Sequence, residues 1–256
     1  MKEVIKLVKS SKDIVLNKSY VDAQKEKGVS DYVTLVDIKV QEHIFNGLKI
    51  LFPDHQFFGE ESEKQKLDFN RPVWILDPLD GTTNLIHSYP QVAVSLAFWN
   101  EGRIEFGVVY NPYTDELFTA SIGKGSFLNG EPIQVSDHKS LADCLVSIGT
   151  SPYHKDDSEA FFRISHKLFM ECQDIRRSGS AALDMAYVAS GRTDAFFEMS
   201  LAPWDYAAGY IIVKEAGGMV TTMDNESLSF KKRSSVFATN GKMHPVILEY
   251  FKSIPK

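Results

Sequence analysis

Short apolar strands alternate with helices after residue 140, and this pattern limits the fold of the chain more than any other feature. In order, the segments are strand 144–149, helix 156–171, strand 174–179, helix 180–191, strand 194–199 and helix 204–218. Gly191 and the Gly217-Gly218 pair stand where two of these helices are expected to end. Strands and helices that take turns along a chain are typical of a layered α/β fold.

The first 140 residues follow a different pattern, with two helices and mainly antiparallel strands. The second helix carries apolar residues at spacings of three or four and is expected to stop at Phe52-Pro53. Apolar runs at 92–99 and 104–112 are separated by Asn100-Glu101-Gly102, which predicts a hairpin. Two further strands are predicted at 55–62 and 73–77, each closing in an acidic residue.

No repeat or Pro/Ser-rich linker separates the two patterns. We therefore predict a single domain over residues 1–256, built from lobes 1–140 and 141–256 that share a layered α/β architecture and have a cleft between them. The length of 256 residues is sufficient for such a core.

Charge and cysteine content exclude several classes of protein. The net charge is −6 and no large basic cluster is present, so nucleic acid is not an expected partner. The N-terminal segment carries a lysine every few residues, which fits neither a signal peptide nor a membrane span. Two cysteines without CxxC spacing indicate free thiols rather than a disulfide framework. We expect a cytoplasmic protein without a membrane partner.

Two aspartates three residues apart follow the apolar run at 73–77. The stretch DPLDGTTN holds Asp77 and Asp80 around Pro78. If both carboxylates point into one small volume, they repel each other unless a cation lies between them. Mg²⁺ is bound in proteins by few carboxylates, carbonyls and water, and the Leu79 carbonyl is a further candidate ligand.

Two more acids, Glu60 and Asp205, also lie where a predicted element begins or ends, as ligand sites in α/β folds do. If a helix starts at Gly81-Thr82, its unpaired N–H groups form an anion site. Metal ions beside such a helix start would indicate phosphate hydrolysis. Taken singly, each acid is better explained as a helix cap or surface residue, and the spacing leaves both interpretations open.

Three ordered motifs resemble the signature set of the inositol monophosphatase family. They are GEES at 59–62, DPLDGTTN at 77–84 and WDYAAGYIIVKEAGG at 204–218. The similarity extends over nearly the whole chain, through DYVTLVD, IEFGVVYNPYTDELFTA and GSAALDMAYVASGRTDAFFE. The resemblance implies an αβαβα sandwich of the inositol monophosphatase and fructose-1,6-bisphosphatase type. It also implies a Mg²⁺-dependent phosphomonoesterase that forms a homodimer.

The resemblance further implies which residues bind metal and which act on water. Two or three Mg²⁺ ions per site would be held by Glu60, Asp77, the Leu79 carbonyl, Asp80 and Asp205. The catalytic residues would be Asp37, Thr82 and Glu60, with Asp37 and Thr82 positioning the attacking water.

Substrate contacts follow from the same resemblance, with one exception. The residues that would contact phosphate or substrate are Gly81, Thr82, Ala181, Glu198 and Asp205. The exception is the Arg176-Arg177 pair, for which a surface position and a substrate contact are equally open, and Arg176 is our candidate for the contact.

These observations predict a phosphatase of small molecules. The expected reaction is hydrolysis of a small polyol or sugar phosphate, inositol monophosphate first, by two-metal activation of water. Alternatives with the same chemistry are a fructose-1,6-bisphosphatase and an NADP 2′-phosphatase, so the expected partner is a phosphorylated polyol, sugar or nucleotide. A more distant alternative is a non-catalytic cation-binding interaction protein. The combination of Asp37, Thr82 and Asp205 argues against it, because a structural ion site needs no water-activating pair.

Overall fold

A computed structural model of the chain describes residues 1–21, 24–28, 31–62, 66–152 and 155–252, with the backbone alone at 24–28, 31, 32 and 157. In these residues the helices are α1 Lys2–Ser10, α2 Lys12–Val15, α3 Lys18–Val21, α4 Leu35–Leu51, α5 Thr82–Ile86, α6 Ser158–Phe169, α7 Ala181–Ala189, α8 Pro203–Glu215 and α9 His244–Phe251. The strands are β1 Gln24–Gly28, β2 Asp31–Thr34, β3 Gln56–Gly59, β4 Val73–Asp80, β5 Ala93–Asn100, β6 Arg103–Asn111, β7 Glu116–Ser121, β8 Ser126–Leu128, β9 Glu131–Ile133, β10 Leu145–Ile148, β11 Asp174–Arg176, β12 Ala195–Leu201, β13 Met219–Thr221 and β14 Ser234–Thr239.

The described strands form two large sheets and a hairpin. The first sheet has seven strands in the order β3-β4-β5-β6-β7-β8-β9, parallel between β3 and β4 and antiparallel elsewhere. The second has five strands in the order β11-β10-β12-β14-β13, parallel around β10 and antiparallel around β14. The β1–β2 hairpin is antiparallel and precedes α4.

Alternate residues of a strand pack into hydrophobic cores on opposite faces of its sheet. The helices and sheets therefore form five layers. Trp74 and Leu76 of β4 pack with α1 and α4, whereas Ile75 packs with α7 and α8 on the other face of the sheet. In the second sheet, Phe196 faces α7 and α8, while Phe197 faces α6 and α9. The order helices, sheet, helices, sheet, helices confirms the predicted αβαβα sandwich.

The middle layer is close-packed because small residues line its helices. Residues of α7 and α8 at this position are Ala182, Ala186, Ala189, Ala207, Ala208 and Gly209. A Cβ at Gly209 would lie 2.8 Å from the Met185 Cβ, and one at Gly107 of β6 would lie 2.8 Å from the Ala208 carbonyl. Helices from the second half of the chain therefore pack directly on the sheet of the first half.

Two differences between the structure and the predicted elements concern β4 and the β1–β2 hairpin. Strand β4 continues to Asp80 instead of ending at Asp77. The β1–β2 hairpin was not predicted, because QKEKG at Gln24–Gly28 has no alternation of apolar and polar residues. Both cysteines are free, as expected. Within the described ranges, no helix has the length and hydropathy needed to cross a lipid bilayer.

Candidate functional site

A cavity of ≈ 430 Å³ lies between the end of β4 and the first turns of α5, α7 and α8. It collects most of the residues that the sequence predicted for the site. Those that line it are Glu60, Asp77, Leu79, Asp80, Gly81, Thr82, Ala181, Glu198 and Asp205. The chain contributes them from both sheets and from the helices between the sheets.

An irregularity in β4 turns Asp77 and Asp80 toward the same cavity. Asp77 pairs with Ser95 of β5 and Asp80 pairs with Ala93, so β4 has one residue more than its partner across this step. Residues three apart in a regular strand face opposite sides, and a bulge changes that relation. Pro78 has no N–H to lose from the ladder, so it is tolerated here.

The three aspartates predicted to bind metal, Asp77, Asp80 and Asp205, have raised pKa values. Burial is the largest cause for Asp77 and Asp205, and the charges of Glu60 and Asp80 raise the pKa of both further. Burial also raises the pKa of Asp80, to about 6. The Ser180 hydroxyl limits that rise by donating a hydrogen bond of 2.7 Å to the Asp80 carboxylate. The ionised site is thus destabilised by desolvation and by repulsion among its acids.

The donor set fits a hard divalent cation. Its atoms are carboxylate oxygens and the Leu79 carbonyl, which are ligands that Mg²⁺ accepts. Each aspartate directs an oxygen to a protein donor: Asp77 accepts from the Leu79 N–H at 2.9 Å, and Asp205 accepts from the Ala202 N–H at 2.7 Å. Across the described ranges, no three His, Cys, Asp or Glu side chains already stand at ligand spacing around one point. Among the residues that the structure describes, the second oxygen of each of these aspartates accepts no such bond, which leaves that oxygen for a ligand in the cavity.

Asp37 reaches the cavity through Thr82. It lies in the first turn of α4, is buried, and accepts hydrogen bonds from the Thr34 N–H at 2.8 Å and the Thr34 hydroxyl at 2.6 Å. Its other oxygen accepts from the Thr82 hydroxyl at 2.9 Å. Burial raises the pKa of Asp37, and these bonds oppose that rise. The Thr82 hydroxyl also lies 3.2 Å from the Leu79 carbonyl, and while it donates its one proton to either acceptor, its oxygen can accept a bond from a molecule in the cavity.

The start of α5 needs a glycine. Gly81 has φ 95°, and a Cβ there would lie 2.8 Å from the Gln91 carbonyl. In the same helix the Asn84 amide donates to the Gln91 carbonyl at 2.7 Å and to the Ser178 carbonyl at 3.0 Å. Asn84 thereby ties α5 to the segment that precedes α7.

Glu198 lies on the wall formed by β12. Its carboxylate accepts from the Ser151 N–H at 2.8 Å and the Ser151 hydroxyl at 3.1 Å. Burial raises the pKa of Glu198 to about 7, although both bonds oppose the rise. A Cβ at Gly149 would overlap this carboxylate, so glycine leaves it room.

The cavity also has residues that the sequence did not identify. Asp184 of α7 lines it, accepts from the Ser178 hydroxyl at 2.8 Å and has a pKa raised by burial to about 8. An aspartate in an alanine-rich helix is easily taken for a core residue. The only signal in the sequence was that Asp184 ends the segment GSAALD, which contains the predicted Ala181. Arg233 lines the cavity as well.

The choice of Arg176 requires a correction. Arg176 ends the short strand β11, lies exposed and pairs with Asp174, and it is not among the described residues that line the cavity. Its neighbour Arg177 lines the cavity instead. Adjacent residues at a strand end point in different directions, so the pair could not be resolved from sequence.

Comparisons with known proteins agree with this fold. The family model described as the inositol monophosphatase family matches residues 1–256. The Nus factor SuhB of Escherichia coli strain K12 is 44% identical over 196 residues, which cover 77% of this chain and 73% of that protein. The inositol-1-monophosphatase of Caulobacter vibrioides is 38% identical over 230 residues, or 89% of this chain and 90% of that protein.

A solved structure gives the same result. The extragenic suppressor protein suhB of Bartonella henselae superposes with a TM-score of 0.92 at 37% identity, covering 99% of this chain and 98% of that one. The resemblance noted in the motifs is confirmed, and the family is generally metal-dependent. The chain belongs to the inositol monophosphatase family.

Proposed function

We propose that the chain is a Mg²⁺-dependent phosphomonoesterase that hydrolyses a small polyol or sugar phosphate, with inositol monophosphate as the first candidate. The observation that supports it most is the cavity in which Glu60, Asp77, Asp80 and Asp205 lie beside the start of α5. Four acids in one cavity favour a cation, and a cation beside Gly81 favours a bound phosphate.

The proposed metal ligands are those named from the sequence. Glu60, Asp77, the Leu79 carbonyl, Asp80 and Asp205 would together hold the ions. When bound, such ions supply an activated water near neutral pH and stabilise charge on the leaving oxygen.

The chain's own residues orient the reactants. The Thr82 hydroxyl donates to Asp37 and so presents its lone pairs to a water in the cavity. The N–H groups of Gly81 and Thr82 would receive phosphate oxygens at the start of α5. On the substrate side, Ala181 would contact the polyol and the Glu198 carboxylate would accept bonds from its hydroxyls, while Asp37 keeps the threonine in place.

Fructose 1,6-bisphosphate and NADP are alternative substrates with the same chemistry. The net charge of −6 supports a small phosphorylated molecule rather than nucleic acid as the partner. A homodimer is part of the same proposal and would be tested by light scattering.

The deciding experiment measures phosphate release from inositol 1-phosphate, fructose 1,6-bisphosphate and NADP with Mg²⁺ and with EDTA. We expect release with Mg²⁺, none in EDTA, and recovery when Mg²⁺ is restored. Full turnover after metal removal, verified by elemental analysis, would contradict the proposal. A melting curve of the EDTA-treated protein separates loss of metal from loss of fold.

Relatives named Nus factor SuhB support a second candidate, a non-catalytic protein in which the acids hold a structural cation. This candidate predicts that Mg²⁺ raises the melting temperature although none of the three esters releases phosphate. The phosphatase predicts both effects, so the two assays together distinguish them.

A further inference from the structure

Arg177 is one of two arginines, with Arg233, on the wall of a cavity whose other charged residues are mainly acids. It follows β11 and is exposed, and its guanidinium donates to the Thr150 hydroxyl at 3.1 Å. A Cβ at Gly179 would lie 2.6 Å from an Arg177 guanidinium nitrogen and 2.9 Å from the Asn84 amide. The guanidinium therefore lies over Gly179 and beside α5.

Four other arginines of the chain pair with carboxylates. These pairs are Arg103 with Glu105, Arg163 with Glu159, Arg176 with Asp174, and Arg192 with Glu116. In the described part of the chain, Arg177 forms no ion pair, and its one hydrogen bond goes to a neutral hydroxyl. A guanidinium has five N–H donors, so most of them remain for a ligand.

The nearest acids do not take up these donors. Arg177 is close enough to lower the pKa of both Asp80 and Glu198, although neither is within ion-pair distance. Asp80 instead accepts from the Ser180 hydroxyl and the Ala182 N–H, and Glu198 accepts from Ser151. A charged donor thus lies near both the proposed metal ligand Asp80 and Glu198.

We infer that Arg177 binds a second anionic group of the substrate, so that the preferred substrate class is a sugar or polyol carrying two phosphates. This inference rests on the proposed function and selects among its substrates. The scissile phosphate would lie at the acids and α5, a ring hydroxyl would meet Glu198, and the second phosphate would receive two N–H bonds from the guanidinium. Planar bidentate donation of this kind favours phosphate over a neutral hydroxyl.

The kinetic test compares fructose 1,6-bisphosphate with fructose 1-phosphate, which lacks the second phosphate. We expect the wild type to prefer the bisphosphate, and Arg177→Met to lower kcat/KM for it by about ten- to hundredfold. For fructose 1-phosphate the change should stay below about threefold. Arg176→Met is the matched control, since its guanidinium pairs with Asp174 outside the cavity, and it should keep both wild-type values.

Equal losses on both substrates would overturn the inference, because Arg177 would then serve the shared chemistry. No loss on either substrate, or a wild type without preference, would identify Arg177 as a solvated surface cation and overturn it too. Melting curves of both variants verify that they are folded.

A binding measurement separates this inference from the proposed function. Fructose 6-phosphate retains the second phosphate and cannot be turned over at position 1, so calorimetry in EDTA measures its binding without catalysis. We expect affinity to fall about tenfold in Arg177→Met and to be unchanged in Arg176→Met. Equal affinity in all three proteins, or no binding to the wild type, would refute the role of Arg177. A wild type that binds fructose 6-phosphate through Arg177 yet releases no phosphate would refute the phosphatase alone.

Discussion

Replacing Asp80 by asparagine should stabilise the metal-free protein while it abolishes most of the activity. The folded pKa of Asp80 is about 6, against an ordinary value of 3.8. This difference corresponds to about 3 kcal/mol by which ionised Asp80 destabilises the folded state. Asparagine carries no charge and removes that cost.

The gain depends on pH in a defined direction. Below pH 3.8 Asp80 is protonated in both the folded and the unfolded chain, so the substitution removes no charge. Between 3.8 and about 6 the folded protein binds more protons than the unfolded one, and wild-type stability falls as pH rises. The variant lacks this fall, and its advantage is complete above pH 6 to 7.

Lost hydrogen bonding reduces the gain. The Asp80 carboxylate accepts from the Ser180 hydroxyl at 2.7 Å and the Ala182 N–H at 2.6 Å. An amide oxygen accepts these bonds without the charge, at a cost of about 1 kcal/mol. The net stabilisation at pH 7.5 is therefore about 2 kcal/mol, or roughly 4 to 8 °C in Tm.

The assay is urea and thermal unfolding in EDTA at pH 4 and pH 7.5, with phosphate release measured in Mg²⁺. The variant should gain stability only at pH 7.5, and its rate should fall by about a hundredfold or more. Asp143→Asn, at an exposed acid distant from the cavity lining, is the control and should change neither value. A variant of Asp80 that melts lower at both pH values but keeps its rate would show that Asp80 is a structural cap and refute the reasoning.

Three further predictions concern Glu198, its neighbour Gly149, and His244 of α9. Glu198→Gln should raise KM for inositol 1-phosphate about tenfold at pH 8. At pH 6 the increase should be small, because the wild-type carboxyl, with a pKa of about 7, is itself protonated at that pH. The KM for p-nitrophenyl phosphate should be unaffected at either pH. Gly149→Ala should reproduce this KM effect, since its methyl group would displace the Glu198 carboxylate, and an unchanged KM would mean that the carboxylate does not contact the polyol. Burial lowers the pKa of His244 to about 4 from 6.5, so wild-type unfolding free energy should drop by up to about 3 kcal/mol as pH falls through that window. His244→Gln should lose this slope, whereas the exposed His166→Gln should retain it.

Much of the fold could be predicted because its central strands, such as β4 and β5, are buried on both faces. Continuous apolar runs such as that at residues 73–76 of β4 are readable in sequence, and turns between them are marked by glycine and asparagine. The end of β4 was misplaced because a proline normally ends a ladder, whereas here a bulge at Pro78 lets the strand continue to Asp80. Sequence periodicity does not report bulges.

The candidate site, too, could be predicted only in part from the sequence. Acids at the ends of helices and strands were identifiable because a carboxylate there is either a helix cap or a ligand. Asp205 caps α8 by accepting from the Ala202 N–H, and it also lines the cavity. Arg177 and Asp184 were missed since their location depends on how the segment after β11 turns and on what covers α7. Both depend on contacts between residues distant in sequence, which a local pattern does not contain.

The position of α7 and α8 between the two sheets has a consequence for synthesis on the ribosome. The seven-stranded sheet is complete at Ile133, but α8, which covers its inner face, ends at Glu215, about 80 residues later. At a synthesis rate of roughly 5–20 residues per second, that face of the sheet remains uncovered for about 4 to 16 s. During this interval Ile75 and its neighbours have no partner layer, and the acids of β4 lack Asp205. The nascent chain is therefore prone to aggregation until α8 has been made, and the site is completed only once Asp205 has been synthesised.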